Sequence, residues 1–380
     1  MDPRNPDIVL LAAMGHSYSP NTERGVFRST NGGRSWKKVL YKDDLTGAVD
    51  LCFAPGDPRI VYAALWHPIR RPGQAETSFA PGSGIYKSTD EGVTWTQLTD
   101  HGLPPGDWGR IGIAVAPGTH GRRLWALIEA KEKNNGLYRS DDGGATWQRA
   151  NMDNRVVGYW YMSQIFADPK NPDVVYVPKQ SLYRSTDGGK TFAIIKGAPG
   201  GDDYQTLWID PTNSQRILLG SDQGATISLN GGQSWSTWYN QPTGQFYRVA
   251  TDHEFPYWVY GPQQDSGTVG TSSRGNDGQI TQRDWFPVGP GESGYTIPDP
   301  LNPDVVYNAG PFGSVVRLSK RTGQVRDVSP APIAFGARYR FNWNIPMVFS
   351  PQDPRVLYLG TQFVLKTVNG APVGKPSALI

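Results

Sequence analysis

The sequence holds a single cysteine in 380 residues, so no disulfide can form within the chain. Cys52 stands in an apolar stretch, where a buried, inert thiol is the expected state. Histidine is scarce as well. The five, at 16, 67, 101, 120 and 253, share no ligand spacing, and neither a metal nor a cofactor is expected. No apolar run reaches the ~18 residues that suggest a membrane helix, and no long segment repeats its apolar positions with the helical period. A surplus of one charge is missing too. The 37 basic and 34 acidic residues leave a net +3 spread over mixed-sign loops, which argues against a nucleic-acid surface. No secretory leader is visible, so localisation is left unassigned. Met1 runs straight into DPRNPD at 2–7, which has the look of a repeat interior, and the chain is expected to be a stretch of something longer.

What is abundant is turn and aromatic chemistry: 45 Gly, 32 Pro, 13 Trp and 18 Tyr, the profile of an all-β chain. An eight-residue pattern recurs as STNGGRSW at 29–36, STDEGVTW at 88–95, SDDGGATW at 140–147, STDGGKTF at 185–192 and SLNGGQSW at 228–235. Starts separated by roughly 43–59 residues fall in or near the range of a repeat unit. In each copy a strand ends at Ser, and the Asp or Asn can bond forward to backbone amides. The following Gly positions permit positive φ, and Trp or Phe opens the next strand. Before four of the copies stand short alternating strands, GVFRS, GIYKS, GLYRS and SLYRS. Asp90, Asp142 and Asp187 are therefore expected to be turn staples.

Between these boxes lies a second marker, a strand ending in Pro, a polar turn, and a strand of the Val-Val-Tyr kind, as in DPKNPDVVYV from Asp168 and DPLNPDVVYNA from Asp299. Together the markers define eight units. The second displays four strands, at 47–54, 59–66, 84–88 and 94–98. The first lacks its inner strand, and the last has no recognisable fourth. Two units replace the box with turns at 275–278 and 320–323. Four-stranded sheets must pack face to face, so residues 1–380 are expected to form one β-propeller of antiparallel blades, with eight blade-like units and seven-bladed closure as the alternative.

The boxes resemble the Asp-box, or bacterial neuraminidase (BNR) repeat, of sialidases, sortilin-type receptors, photosystem assembly factors and two-propeller xyloglucanases. Further segments, ERGVFRST at 23–30, NQPTGQFY at 240–247, GPQQD at 261–265, GESGY at 291–295 and RTGQVRD at 321–327, are similar to a large bacterial family labelled sortilin-like or BNR-repeat glycosyl hydrolase. Its members are commonly longer and exported, and the resemblance implies the propeller fold without implying a shared mechanism. Two departures count against an enzyme. Asn344-Ile-Pro346 lacks the Arg of the sialidase Arg-Ile-Pro motif, and Asp203, Tyr204 and Gln205 stand where the related family often has His.

In a propeller the inner-strand starts and the loops between strands two and three share one face, opposite the box turns, and that face gathers distant residues. Candidate ligand-binding residues there are Trp108, Arg110, Tyr159, Trp160, Tyr204, Gln245, Tyr247, Gln264, Tyr295, Arg340 and Trp343. Aromatic faces stack on sugar rings, while amides and Arg fix hydroxyls. Asp265 and Glu292, with Asp203 as a third choice, are the carboxylates for acid, base or nucleophile if the protein is an enzyme. The leading expectation is a non-catalytic propeller that binds a glycan or a protein partner on this face. A glycoside hydrolase acting on a polysaccharide is the alternative. The same polar residues would otherwise serve one another around a water-filled channel. Oligomeric state is left open.

Overall fold

Each box is closed by its own side chains. In the copy at 140–147, Ser140 Oγ donates to Asp142 Oδ1 (2.8 Å) and accepts the Gly144 amide (2.8 Å). Asp142 then accepts the amide and the hydroxyl of Thr146 at 2.8 and 2.6 Å. Asp90 with Thr94 and Asp187 with Thr191 repeat this arrangement. Where the third residue is Asn, the seventh is Ser, because an amide can donate to a hydroxyl oxygen: Asn31 to Ser35 and Asn230 to Ser234, each 2.8 Å. The third-position Asp or Asn of every box is thus engaged by its own turn, which is the staple role expected of the Asp residues.

The computed structural model describes residues 1–378 except 69, 71–78, 132, 159–162, 199, 200, 202, 238–243, 290, 293, 331–337, 369 and 371–374. The chain is all-β. Among the described residues eight antiparallel sheets follow one another, each a meander of neighbouring strands with the topology of a propeller blade. The second contains Gly47–Ala54, Asp57–Trp66, Gly84–Ser88 and Thr96–Leu98, close to the expected bounds. The first and fifth have three described strands and the others four. The eighth includes a fourth strand, Lys375–Ala378, that the sequence pattern does not announce.

The chain divides into two compact units, Met1–Gln241 with five sheets and Pro242–Ile380 with three. In the first unit the boxes join successive sheets. A Cβ on the fifth residue of a box, glycine in each copy, would meet the preceding sheet: Leu10 at 2.9 Å from Gly92, Leu98 at 2.8 Å from Gly144, Leu137 at 2.8 Å from Gly189 and Ile195 at 2.9 Å from Gly232. The cation one residue before a box Ser reaches the fourth-position carbonyl of the following box. Arg28 Nε donates to Glu91 O (3.0 Å), Lys87 Nζ to Gly143 O (2.7 Å) and Arg184 Nη1 to Gly231 O (2.8 Å). The amide of that same residue bonds to the first turn of its own sheet, as Gly143 to Arg122 O (2.7 Å) and Gly231 to Gln215 O (2.9 Å). One residue therefore ties two sheets together. The box Trp95, Trp147 and Trp235 pack in the apolar clusters between sheets, whereas Trp36 of the first sheet is 41% exposed.

The second unit lacks boxes among its described residues and closes its outer hairpins differently. Thr281 and Asp284 form a reciprocal cap ahead of Trp285–Gly289, and the Gly323 amide bonds back to Ser319 O (2.8 Å). Its main core gathers Val305, Tyr307, Val315, Met347, Leu357 and Leu365.

Candidate functional site

In the second unit, the loop-bearing ends of the sheets bring several expected residues together. The hairpin between Trp258–Gln263 and Gly267–Ser272 turns at Gln264 and Asp265, with Asp265 at φ 55°. Backbone bonds from the Tyr247 amide to Pro262 O (3.1 Å) and from the Gln264 amide to Gln245 O (2.9 Å) lay 245–247 alongside it. Thr268 Oγ1 donates to Gly291 O (2.7 Å), which brings Glu292 against the same turn. The Gly294 amide donates to Asn344 Oδ1 (3.0 Å) and draws in the segment that carries Trp343. Gly294 itself sits at φ 90°, and a Cβ there would meet Ala309 O at 2.1 Å, so only glycine fits.

These contacts produce one continuous polar chain. Trp343 Nε1 donates to Tyr247 Oη (3.2 Å), and the Tyr247 hydroxyl donates to Gln264 Oε1. Gln264 Nε2 approaches Glu292 Oε2 at 3.4 Å, and the Asp265 amide donates to that same oxygen at 3.0 Å. Glu292 also shares a side-chain hydrogen bond with Asp265. Desolvation first, then that bond and the neighbouring negative charge, raises its pKa, against a lowering by the Asp265 amide. Two carboxyl groups in contact hold one proton between them more readily than none.

Beside the chain stands Phe312, which sequence reasoning missed. It is 72% exposed, edge-on to Trp343 at 5.5 Å, and held at φ 59° in the turn Pro311–Gly313. Its only sequence signal is the Gly-Pro-Phe-Gly at 310–313 in a loop between the second and third strands. A positive φ at a bulky residue is costly and points to a functional position. Tyr295 is half-buried under the Arg248 guanidinium, 5.5 Å from its ring. Arg340 is exposed, with its amide bonded to Gln362 Oε1 (2.6 Å). Gln245 is exposed at the edge of the group.

The remaining candidates belong to the first unit. Trp108 is buried, its indole N–H bonded to Pro104 O (2.9 Å), and Tyr204 is buried with its amide on Lys179 O (2.8 Å). Both rings lie in apolar clusters and offer no face to a ligand. Arg110 lies 5.4 Å from the Trp66 ring, and Asp203 is half-buried at φ 46°. Tyr159 and Trp160 lie outside the described residues. A buried polar group here also escaped the sequence reading: Glu129 accepts Ser163 Oγ at 2.5 Å and the Arg110 amide at 3.2 Å. Lys179, buried nearby with Nζ on Gly158 O (3.1 Å), is lowered to about 8 by desolvation, with Glu129 opposing the shift. The available signal was a lone acid in the otherwise apolar strand LWALIEA.

Among the described residues no group of His, Cys, Asp and Glu could hold a metal ion, and no helix is long and apolar enough to cross a membrane.

Residues 138–149 match the BNR/Asp-box repeat. A xyloglucanase of Hypocrea jecorina is 26% identical over 254 residues, 54% of this chain and 30% of that protein. A xyloglucanase of Acetivibrio thermocellus is 27% identical over 173 residues, 39% of this chain and 18% of the relative. The matched stretches thus span less than a third of either of these relatives. Among solved structures, an ancestral GH74 enzyme aligns over 98% of this chain and 53% of its own, at 13% identity and a TM-score of 0.45. The chain is similar in sequence to xyloglucanases and carries the Asp-box repeat.

Proposed function

We propose that the loop-bearing end of Pro242–Ile380 binds a neutral polysaccharide, with xyloglucan as the first ligand to try because relatives bear that name. The observation that carries this reading is the polar chain from Trp343 through Tyr247 and Gln264 to Glu292 and Asp265, beside an exposed Phe312. An aromatic face next to amide and carboxyl groups is what a sugar ring requires, apolar C–H on one side and hydroxyls at the rim. Placing Asp265 and Glu292 on one turn, with the Asp265 amide on Glu292 Oε2 at 3.0 Å, favours recognition over hydrolysis by that pair, since hydrolysis needs room between the two carboxyls for a water or the anomeric carbon. Hydrolysis is the second reading, favoured by the upward shift of Glu292, the direction a general acid needs.

Affinity electrophoresis in gels containing xyloglucan, other β-glucans, xylan or no polymer tests binding, and a reducing-end assay on the same polymers tests cleavage. Retardation by at least one polymer is expected, with Phe312→Ala and Trp343→Ala each weakening it roughly tenfold, about 1.4 kcal/mol. Unchanged mobility with every polymer would sink the binding reading. Release of reducing ends that Glu292→Gln abolishes would replace it with the hydrolytic one.

A further inference from the structure

The groove between the fourth and fifth sheets of the first unit, at the end that carries the boxes, contains a cavity of about 380 Å³. Its origin lies in one substitution within the repeat. Ser140 pairs with Leu124 in the third sheet and Ser185 with Val175 in the fourth, so Arg123 and Val174 occupy equivalent positions. Arg123 spans the groove between the third and fourth sheets, with Nε on Asp141 Oδ1 (2.7 Å), Nη1 on Pro172 O (3.2 Å), and an ion pair to Asp173. Val174 is too short to do this. The next arginine along, Arg216, turns back to Asp210 of its own sheet at 2.6 Å. The groove is left without the side chain that fills its neighbour.

What lines the opening defines its chemistry. Val174 and Tyr176, both buried, give it an apolar part. Asp168 is 4% exposed; its Oδ1 accepts the amides of Lys170 and Asn171 and the Ser214 hydroxyl at 2.8, 3.0 and 2.8 Å. Its Oδ2 accepts no hydrogen bond from any described residue, so this lining carboxylate keeps a spare acceptor. Arg184 contributes a guanidinium beyond the N–H it gives to Gly231, and the exposed Asn213 and Gln215 stand at the rim. An anion would meet the Asp168 carboxylate, and a cation would meet Arg184 and Lys170. A neutral molecule with several hydroxyls satisfies both, donating to Asp168 and accepting from Arg184 while its C–H face covers Val174. The volume lies near the low end of the about 300–1,000 Å³ usual for small-molecule sites.

We propose that this cavity binds a single neutral sugar ring, at a site separate from the loop-bearing end of the second unit and independent of the function proposed for it. Isothermal titration of the full chain with glucose, xylose and galactose, one at a time, and with inorganic phosphate tests this. Saturable, millimolar binding of at least one sugar is expected. Val174→Arg, which supplies the side chain that plugs the neighbouring groove, should weaken it at least about tenfold. Gln215→Ala, at an exposed rim position, should weaken it severalfold with little change in melting temperature, so the test survives a Val174 variant that fails to fold. Phe312→Ala should leave it unaltered. Absence of saturable binding for all three sugars would overturn the proposal, as would phosphate binding in their place, or sugar binding that both cavity variants leave intact.

Discussion

Ser140 is 1% exposed and serves as both donor and acceptor within its box. Ser140→Ala would leave the buried Gly144 amide without its partner, so a loss of about 1–3 kcal/mol is expected in a urea unfolding curve. Glu292 makes a different kind of demand. Its raised pKa means the fold prefers the protonated acid, so its contribution is fully present below the unfolded glutamate value and is lost as pH rises through the raised one. Glu292→Gln imitates the protonated form. Its melting temperature should therefore match wild type at acid pH and exceed it once pH has risen through the raised value; a variant that parallels wild type at every pH would show that no proton is held there. The sequence singled out Asp265 and Glu292 individually, because both sit in turns at the loop-bearing end. Their contact was not legible, since a period of strands fixes which end a loop occupies but not the separation of two carboxyls within it.

At the scale of the element, the box turns out to be a junction as well as a turn. The sequence showed the turn, because Ser, Asp or Asn, and Gly at fixed offsets have local jobs that eight residues reveal. The link between sheets was hidden, since the Arg or Lys that reaches the following box lies about one repeat away in sequence. Arg28 illustrates the consequence: its side chain is mostly buried and its Nε bonds to the Glu91 carbonyl of the next sheet at 3.0 Å. Arg28→Met should cost about 1–2 kcal/mol, as loss of a charged hydrogen bond to a partly buried carbonyl. Arg155→Met, which breaks the exposed pair with Asp153, should cost no more than about 0.5 kcal/mol and serves as the control. Equal effects in chemical denaturation would remove the junction from the account of stability. The cavity beside Val174 escaped for a related reason: the repeat aligns Val174 with Arg123 only once the strand register is known.

Over the whole molecule, the five boxes all fall in Met1–Gln241, and the described hairpins of Pro242–Ile380 close without them. Three boxes use Asp and two use Asn, which builds an acid-sensitivity map into the chain. Thr146, through its hydroxyl and amide, holds Asp142 at about 2. Burial pushes Asp90 and Asp187 upward, but Thr94 and Thr191 outweigh it, and both also lie at about 2. A depressed carboxylate adds stability above its unfolded pKa of about 4, and that stability drains away as pH falls towards the folded value. Hydrogen exchange followed from pH 5 to pH 2.5, corrected for intrinsic rates, should therefore show protection falling at Gly92, Gly144 and Gly189, whose amides bond to the Ser of an Asp-type box. Gly33 and Gly232, on Asn-type boxes, carry no titrating partner and should keep their protection over the same range. Because the chain fills the acceptor sites of the Asp carboxylates, stripping calcium with a chelator should leave the pattern unchanged. Uniform loss across all five boxes would mean that global acid unfolding, rather than the Asp staples, sets the limit.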